Sequence, residues 1–152
     1  MSELLLHPMD AQTVAQVAAL EQICFAHPWS LNALELELRN PLAVYFTALD
    51  SGGEVVGYAG MHCILGEGHI TNLAVSPALR RRGIARALLG ALLSYAGNQE
   101  LYLLTLEVRA SNTAAIALYS QLAFAPVGLR KGYYDAPKED ALIMTLELGD
   151  AL

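Results

Sequence analysis

Arg80-Arg81-Arg82-Gly83-Ile84-Ala85 follows one apolar run, His69-Ile70-Thr71-Asn72-Leu73-Ala74-Val75, and opens a second, Ile84-Ala85-Arg86-Ala87-Leu88-Leu89, that has helical spacing. The order is strand, basic glycine loop, helix. The first turn of a helix leaves backbone N–H groups without partners and carries partial positive charge, so an anion is favoured there. Gly83 lets the backbone come close to such a ligand, and the arginine forks add charge-assisted hydrogen bonds. Four of the nine basic residues (Arg80, Arg81, Arg82 and Arg86) fall within the seven positions 80–86. Taken alone, so short a string also describes a solvated arginine cluster at the start of a surface helix. Its surroundings have to choose between the two.

The chain has 152 residues, enough for one domain spanning 1–152 with a single core. Hydrophobic residues make up 55% and charged residues 16%, which excludes a disordered chain. Mean hydropathy is +0.38. The longest apolar run, 87–97, is broken by Gly90 and Ser94. It falls short of the roughly 18 residues of a membrane span, so no membrane partner is expected. Glu3 and Asp10 near the start, with no basic or hydrophobic leader pattern, point to a cytoplasmic protein. A net charge of -6 disfavours a nucleic-acid partner, and any anionic ligand must be met locally. Cys24 and Cys63 lie in apolar patterns and read as buried free thiols. The histidines show no metal spacing, so no metal is expected, and neither His27 nor His69 receives a role.

Around the glycine loop the periodicities give the rest. Residues 4–6 read as a short strand ended by His7-Pro8, and Asp10 caps a helix over 11–25 that buries Val14, Val17, Ala18, Ile23 and Phe25. Ser30 caps a second helix, 31–39. Strands at 43–49 and 54–62 flank Asp50-Ser51-Gly52-Gly53, a hairpin signal, and a turn at 66–68 leads into 69–75. These three strands form an antiparallel meander. After the helix that follows Gly83 come a strand at 101–108, a helix at 113–122, a strand at 124–130, a polar loop at 131–140 and a closing strand at 141–148. The fold class is α/β, mixed α+β: a central mixed sheet of about seven strands with four helices, in the order β-α-α-β-β-β-α-β-α-β-β.

Two residues stand out for chemistry. Glu107 lies near the end of its strand on the face shared with Thr105 and Arg109, where it is either a general base or the partner of Arg109. Tyr119 follows Asn112 by seven residues, about two helical turns, so both project from one face.

With the loop, Glu107, Asn112 and Tyr119 in this order, the chain resembles the GNAT superfamily of acyl-CoA N-acetyltransferases. Within it, the chain is similar to the RimI-type enzymes that acetylate the N-terminal alanine of ribosomal protein S18. The likeness rests on residues 25–30 (FAHPWS), 70–89 (ITNLAVSPALRRRGIARALL), 106–119 (LEVRASNTAAIALY) and 130–144 (RKGYYDAPKEDALIM). One departure is Leu122-Ala123-Phe124, where the family usually has Leu-Gly-Phe.

The resemblance implies a GNAT fold and acetyl-CoA laid in a V-shaped opening between the 69–75 and 101–108 strands. Leu73, Ala74 and Val75 would pair with the pantetheine arm, and the N–H of Ala74 or Val75 would face the thioester oxygen. Arg80, Arg81, Arg82, Gly83, Ile84 and Ala85 would hold the pyrophosphate, and Asn112 would contact the pantetheine. Glu107 would serve as general base, directly or through water, and Tyr119 as general acid for the thiolate. Trp29, Tyr133 and Tyr134 are weaker candidates for a substrate groove, and Trp29 fits equally as a staple between helices. The substrate implied is the N-terminus of ribosomal protein S18. A lysine or polyamine acetyltransferase and a non-catalytic coenzyme A module are the alternatives, though a binder needs neither Glu107 nor Tyr119.

Overall fold

The structure, a computed structural model, describes residues 4–149; Glu3 and both ends of the 1–152 span lie outside the described residues. The chain runs through β1 (Leu5–Pro8), α1 (Val14–Cys24), α2 (Leu31–Glu37), β2 (Ala43–Leu49), β3 (Val55–Ile64) and β4 (Glu67–Val75). It continues with α3 (Ile84–Asn98), β5 (Leu103–Arg109), α4 (Thr113–Gln121), β6 (Ala125–Tyr134) and β7 (Glu139–Glu147). The element order is the one the sequence predicts. One mixed sheet of seven strands has the spatial order β1-β2-β3-β4-β5-β7-β6. Among the described residues no helix is long and apolar enough to cross a membrane.

Each face of the sheet is covered by a different helix pair. On one face α1 and α2 bring Val14, Val17, Leu20 and Leu34 onto Tyr45, Tyr58 and Ala74. On the other, α3 and α4 bring Ile84, Leu88, Leu92 and Tyr119 onto Met61, Ile70, Leu104 and Leu106. The meander is shaped for this packing. Gly60 of β3 lies beneath Tyr45, and a Cβ there would stand 2.1 Å from the ring.

The feature that positions the site is a fork. β4 and β5 are parallel and pair only from Glu67↔Leu103 to Ile70↔Leu106, after which they part. At that point the register of β4 on β3 shifts, leaving Thr71 as an extra residue between Ile70 and Asn72. Such a bulge bends and twists one strand away from its neighbour.

Several boundaries differ from expectation for identifiable reasons. His7 and Pro8 do not end β1; they belong to it, because β1 is an edge strand and an edge tolerates a residue without an N–H. Asp10 caps one turn early. Its Oδ1 accepts from the N–H groups of Gln12 (2.9 Å) and Thr13 (3.0 Å), so α1 proper starts at Val14. Ile23 and Phe25 are not buried, at 68% and 42% exposure; Leu20 and Glu21 take that face instead. The turn before β4 is Leu65-Gly66, both with positive φ, and Glu67 already belongs to the strand. The polar loop expected at 131–140 is mostly strand: β6 runs to Tyr134 and β7 begins at Glu139, which leaves a tight turn.

Ala123 ends α4 in the left-handed backbone conformation that favours glycine. Phe124 N–H donates to the carbonyl of Tyr119 and Ala123 N–H to that of Ser120, both at 3.0 Å, which is a Schellman cap for α4. Tyr119 and Phe124 complete it with an edge-to-face ring contact at 5.8 Å. The motif places Ala123 at φ 75, a left-handed conformation that costs an L-residue roughly 1–2 kcal/mol. Ala123→Gly is therefore expected to stabilise the fold, by about 0.5–1 kcal/mol after the extra chain entropy of glycine is subtracted. Chemical denaturation of the two proteins measures this, and a destabilised variant would contradict the strain.

Candidate active site

At the fork an open cleft of about 770 Å³ enters between β4 and β5. Glu107 and Tyr119 both line it, together with Leu73, Asn112, Trp29, Tyr133 and Tyr134. They arrive from opposite sides. Glu107 alternates with the buried Leu106 and Val108, so it stands on the α1/α2 face, whereas Tyr119 packs in the cluster of the α3/α4 face. Only the parting of the strands brings them to a common space.

Glu107 has an 11% exposed side chain. Its Oε1 lies 2.8 Å from His69 Nε2 and accepts from the Tyr133 hydroxyl at 3.4 Å. The alternative pairing with Arg109 is not the one formed. Arg109 instead stacks 4.4 Å from the centre of the Tyr134 ring, bridges to Glu139 at 3.3 Å, and donates to the carbonyls of Pro137 (2.9 Å) and Asp135 (3.3 Å). It thereby fastens the β6–β7 turn, which shapes one wall of the cleft. Tyr133 and Tyr134 are consequently strand residues with their rings in edge contact at 5.0 Å, not members of a loose loop. Burial, then Tyr133 and Glu107, push the Tyr134 phenol up to about 12.

Tyr119 is 6% exposed. Burial first, and the neighbouring Tyr134 second, push its phenol up to about 12. It therefore holds its proton throughout the neutral range. Asn112 is the N-cap of α4: its Oδ1 accepts from Ala115 N–H at 3.1 Å, which leaves the side-chain NH₂ free to meet a ligand in the cleft.

Beyond the cleft, β4 leads through a short 3₁₀ turn, Pro77–Leu79, into the glycine loop. Arg80, Arg81, Arg82 and Gly83 are exposed, Ala85 is half-buried, and Ile84 anchors the helix start in the core. Gly83 is the N-cap of α3 at φ 80, and no side chain of that residue caps the first N–H groups of α3. Among the described residues none of the three loop arginines forms a salt bridge. Ala74 and Val75 are buried and do not line the cleft.

Sequence reasoning missed a buried carboxylate. Glu21, 2% exposed, accepts from the Tyr58 hydroxyl at 2.5 Å and from the Trp29 backbone N–H at 2.8 Å. Tyr58 in turn accepts from Asn72, whose Oδ1 accepts from Tyr45; Tyr45 also reaches Glu37, which pairs with His62. Burial and the Glu21 carboxylate push the Tyr58 phenol far above its ordinary value. This network fixes the chain at Trp29, so Trp29 is held by its backbone as well as by its ring. Cys24 and Cys63 are free thiols as expected but half-buried rather than buried, and burial pushes both thiols up.

The sequence matches the acetyltransferase (GNAT) family over residues 14–124. The chain belongs to that family. Among relatives, the N-alpha-acetyltransferase RimI of Mycobacterium tuberculosis is 40% identical, the match covering 93% of this chain and 89% of that protein. The crystal structure of the ribosomal-protein-S18-alanine N-acetyltransferase from Escherichia coli aligns with a TM-score of 0.90 at 32% identity, covering 98% of this chain and 96% of that one. A longer, uncharacterized Mycobacterium leprae protein is 40% identical over 93% of this chain, which spans 39% of its length.

As a GNAT acetyltransferase the chain uses acetyl-CoA as its donor, and its residues fit that substrate. A Cβ on Gly83 would meet nothing within 4 Å, so the space before the open α3 N–H groups is clear for a phosphate. Of the loop arginines, Arg80 donates to the Val75 carbonyl at 3.4 Å and reaches Cys24 Sγ at 3.9 Å, while among the described residues Arg81 and Arg82 have no side-chain partner. Changing Arg80 and Arg82 together to Ala is expected to raise the Kd for coenzyme A by about 10-fold or more at low salt, with the difference shrinking as salt is added. Calorimetric titration tests this, and an unchanged Kd would put the phosphates elsewhere.

Proposed function

We propose that this acetyltransferase transfers the acetyl group of acetyl-CoA to the N-terminal α-amine of a protein, and that its substrate is the N-terminal alanine of ribosomal protein S18. The observation that carries the reading is the meeting of one carboxylate, Glu107, and one protonated phenol, Tyr119, in a cleft opened by the β4–β5 fork. The near full-length likeness to the Escherichia coli S18-alanine enzyme supports the choice of substrate. Action on a ribosomal protein places the enzyme in the cytoplasm.

In this reading the pantetheine arm passes Leu73 and follows the backbone edge of Ala74 and Val75, whose side chains are buried, where β4 has lost its β5 partner, and Asn112 contacts it from α4. Arg80, Arg81, Arg82, Gly83, Ile84 and Ala85 hold the pyrophosphate. Glu107, directly or through one water, takes a proton from the incoming ammonium, and the neutral amine attacks the thioester carbonyl. Tyr119 gives its proton to the departing sulfur, and the proton that the attacking nitrogen sheds on becoming an amide restores the phenol. A protein α-amine titrates near 7.7–8.0 and a lysine near 10.4, so a single carboxylate is a sufficient base for the former at neutral pH. Trp29, Tyr133 and Tyr134 wall the peptide end of the cleft.

Incubating the purified protein with acetyl-CoA and a peptide carrying the first residues of S18 tests the reading. Acetyl incorporation is expected on the free α-amine, and none on the same peptide with a blocked N-terminus and an internal lysine. Equal labelling of the blocked peptide would make the enzyme a lysine acetyltransferase instead.

A further inference from the structure

We infer that His69 is the outlet through which Glu107 returns its proton to solvent, by a path that leaves the cleft on the side away from the substrates. The inference rests on the reading of Glu107 as the base. Stoichiometry creates the need. An ammonium that becomes an amide loses two protons; one ends on the coenzyme A sulfur and the other must reach bulk water.

Glu107 cannot release it forward. Its side chain is 11% exposed, and that exposure faces the cleft which acetyl-CoA and the peptide fill. Of the groups that touch it, the Tyr133 hydroxyl is a donor whose phenol is raised by burial and by Glu107 itself, so it does not take up a proton. Arg109 is engaged with the β6–β7 turn and has no lone pair to offer. Among the described residues the remaining polar contact is His69 Nε2, 2.8 Å from Oε1.

The position of His69 suits the task. It pairs with Thr105 one residue before β4 and β5 part, so the last rungs of the parallel ladder fix it beside Glu107. Its ring is 42% exposed and does not line the main cleft. It opens into a separate recess of about 330 Å³, lined also by His62, Glu67 and Thr105. His62, its cross-strand neighbour on β3, is paired with Glu37 from α2. The Glu107–His69 contact therefore joins two openings, one for substrates and one for water. In the step proposed, the Glu107 O–H bond breaks as the proton moves to Nε2. The imidazolium releases the Nδ1 proton to water in the recess, and tautomer exchange there resets the ring.

The test is His69→Gln, which keeps an amide within reach of Glu107 but cannot carry a proton, compared with Glu107→Gln in the same buffers. Melting curves and the acetyl-CoA KM establish that each variant is folded and binds its donor. For the unaltered enzyme kcat is expected to be flat with imidazole concentration. For His69→Gln, kcat in dilute non-transferring buffer should fall at least ~10-fold, short of the ~10²- to 10⁴-fold expected for loss of the base itself. The loss should be restored as imidazole is added, since the recess is open to a molecule of that size. Full kcat in dilute buffer, or a deficit that no imidazole concentration restores, would overturn the inference. Should Glu107→Gln remain fully active, the base assignment itself fails. An inactive Glu107→Gln beside an unaffected His69→Gln removes only the outlet.

Discussion

Tyr119→Phe is expected to lower kcat by about 10²- to 10⁴-fold while leaving the Kd for acetyl-CoA unchanged. The substitution removes one hydroxyl and keeps the ring, so the packing that buries Tyr119 against Phe124 and the core of the α3/α4 face is preserved. What it removes is the only element of the side chain that can protonate a leaving thiolate. Because burial holds this phenol protonated to about 12, its proton is available at every pH at which the enzyme works. The deficit is expected to be flat across the neutral range. Single-turnover kinetics separate the two effects. A variant that binds acetyl-CoA poorly but turns over normally once saturated would make Tyr119 a packing residue.

Glu107→Gln should cost a similar factor in kcat/KM, with a different pH signature. Gln is nearly isosteric, still accepts from the Tyr133 hydroxyl through its carbonyl and stays within reach of His69 Nε2, so the wall of the cleft is retained. The task lost is removal of the ammonium proton. Above about pH 8 the α-amine is already neutral in solution, so the deficit should shrink as pH rises through its pKa. Rates measured from neutral to alkaline pH check this. A deficit independent of pH and accompanied by weaker acetyl-CoA binding would assign Glu107 a structural role.

The features legible in the sequence are those set by neighbours along the chain. The β2 strand, its hairpin to β3, the Ser30 cap, the glycine loop and the α3 stripe all follow from spacings of a few residues. What was hidden is set by partners far away. Glu21 on an apolar helix face gives no sign of being buried, because the Tyr58 hydroxyl that accounts for it comes 37 residues later. His69 looks idle for the same reason: its carboxylate partner is 38 residues on, across a parallel ladder whose register no local pattern fixes. The polar run 131–140 reads as a loop until Arg109, 26 residues upstream of Asp135, is seen to hold the turn from outside. The fork itself follows from where pairing stops, and pairing is a property of two strands.

The substrate proposed for this chain is the N-terminal alanine of ribosomal protein S18. Intact-mass and N-terminal peptide analysis of S18 from cells with and without the protein tests it most directly. An acetylated α-amine is expected in the first and a free one in the second, with acetylation restored by the unaltered gene and not by Tyr119→Phe. S18 that remains fully acetylated in the absence of the protein would contradict it.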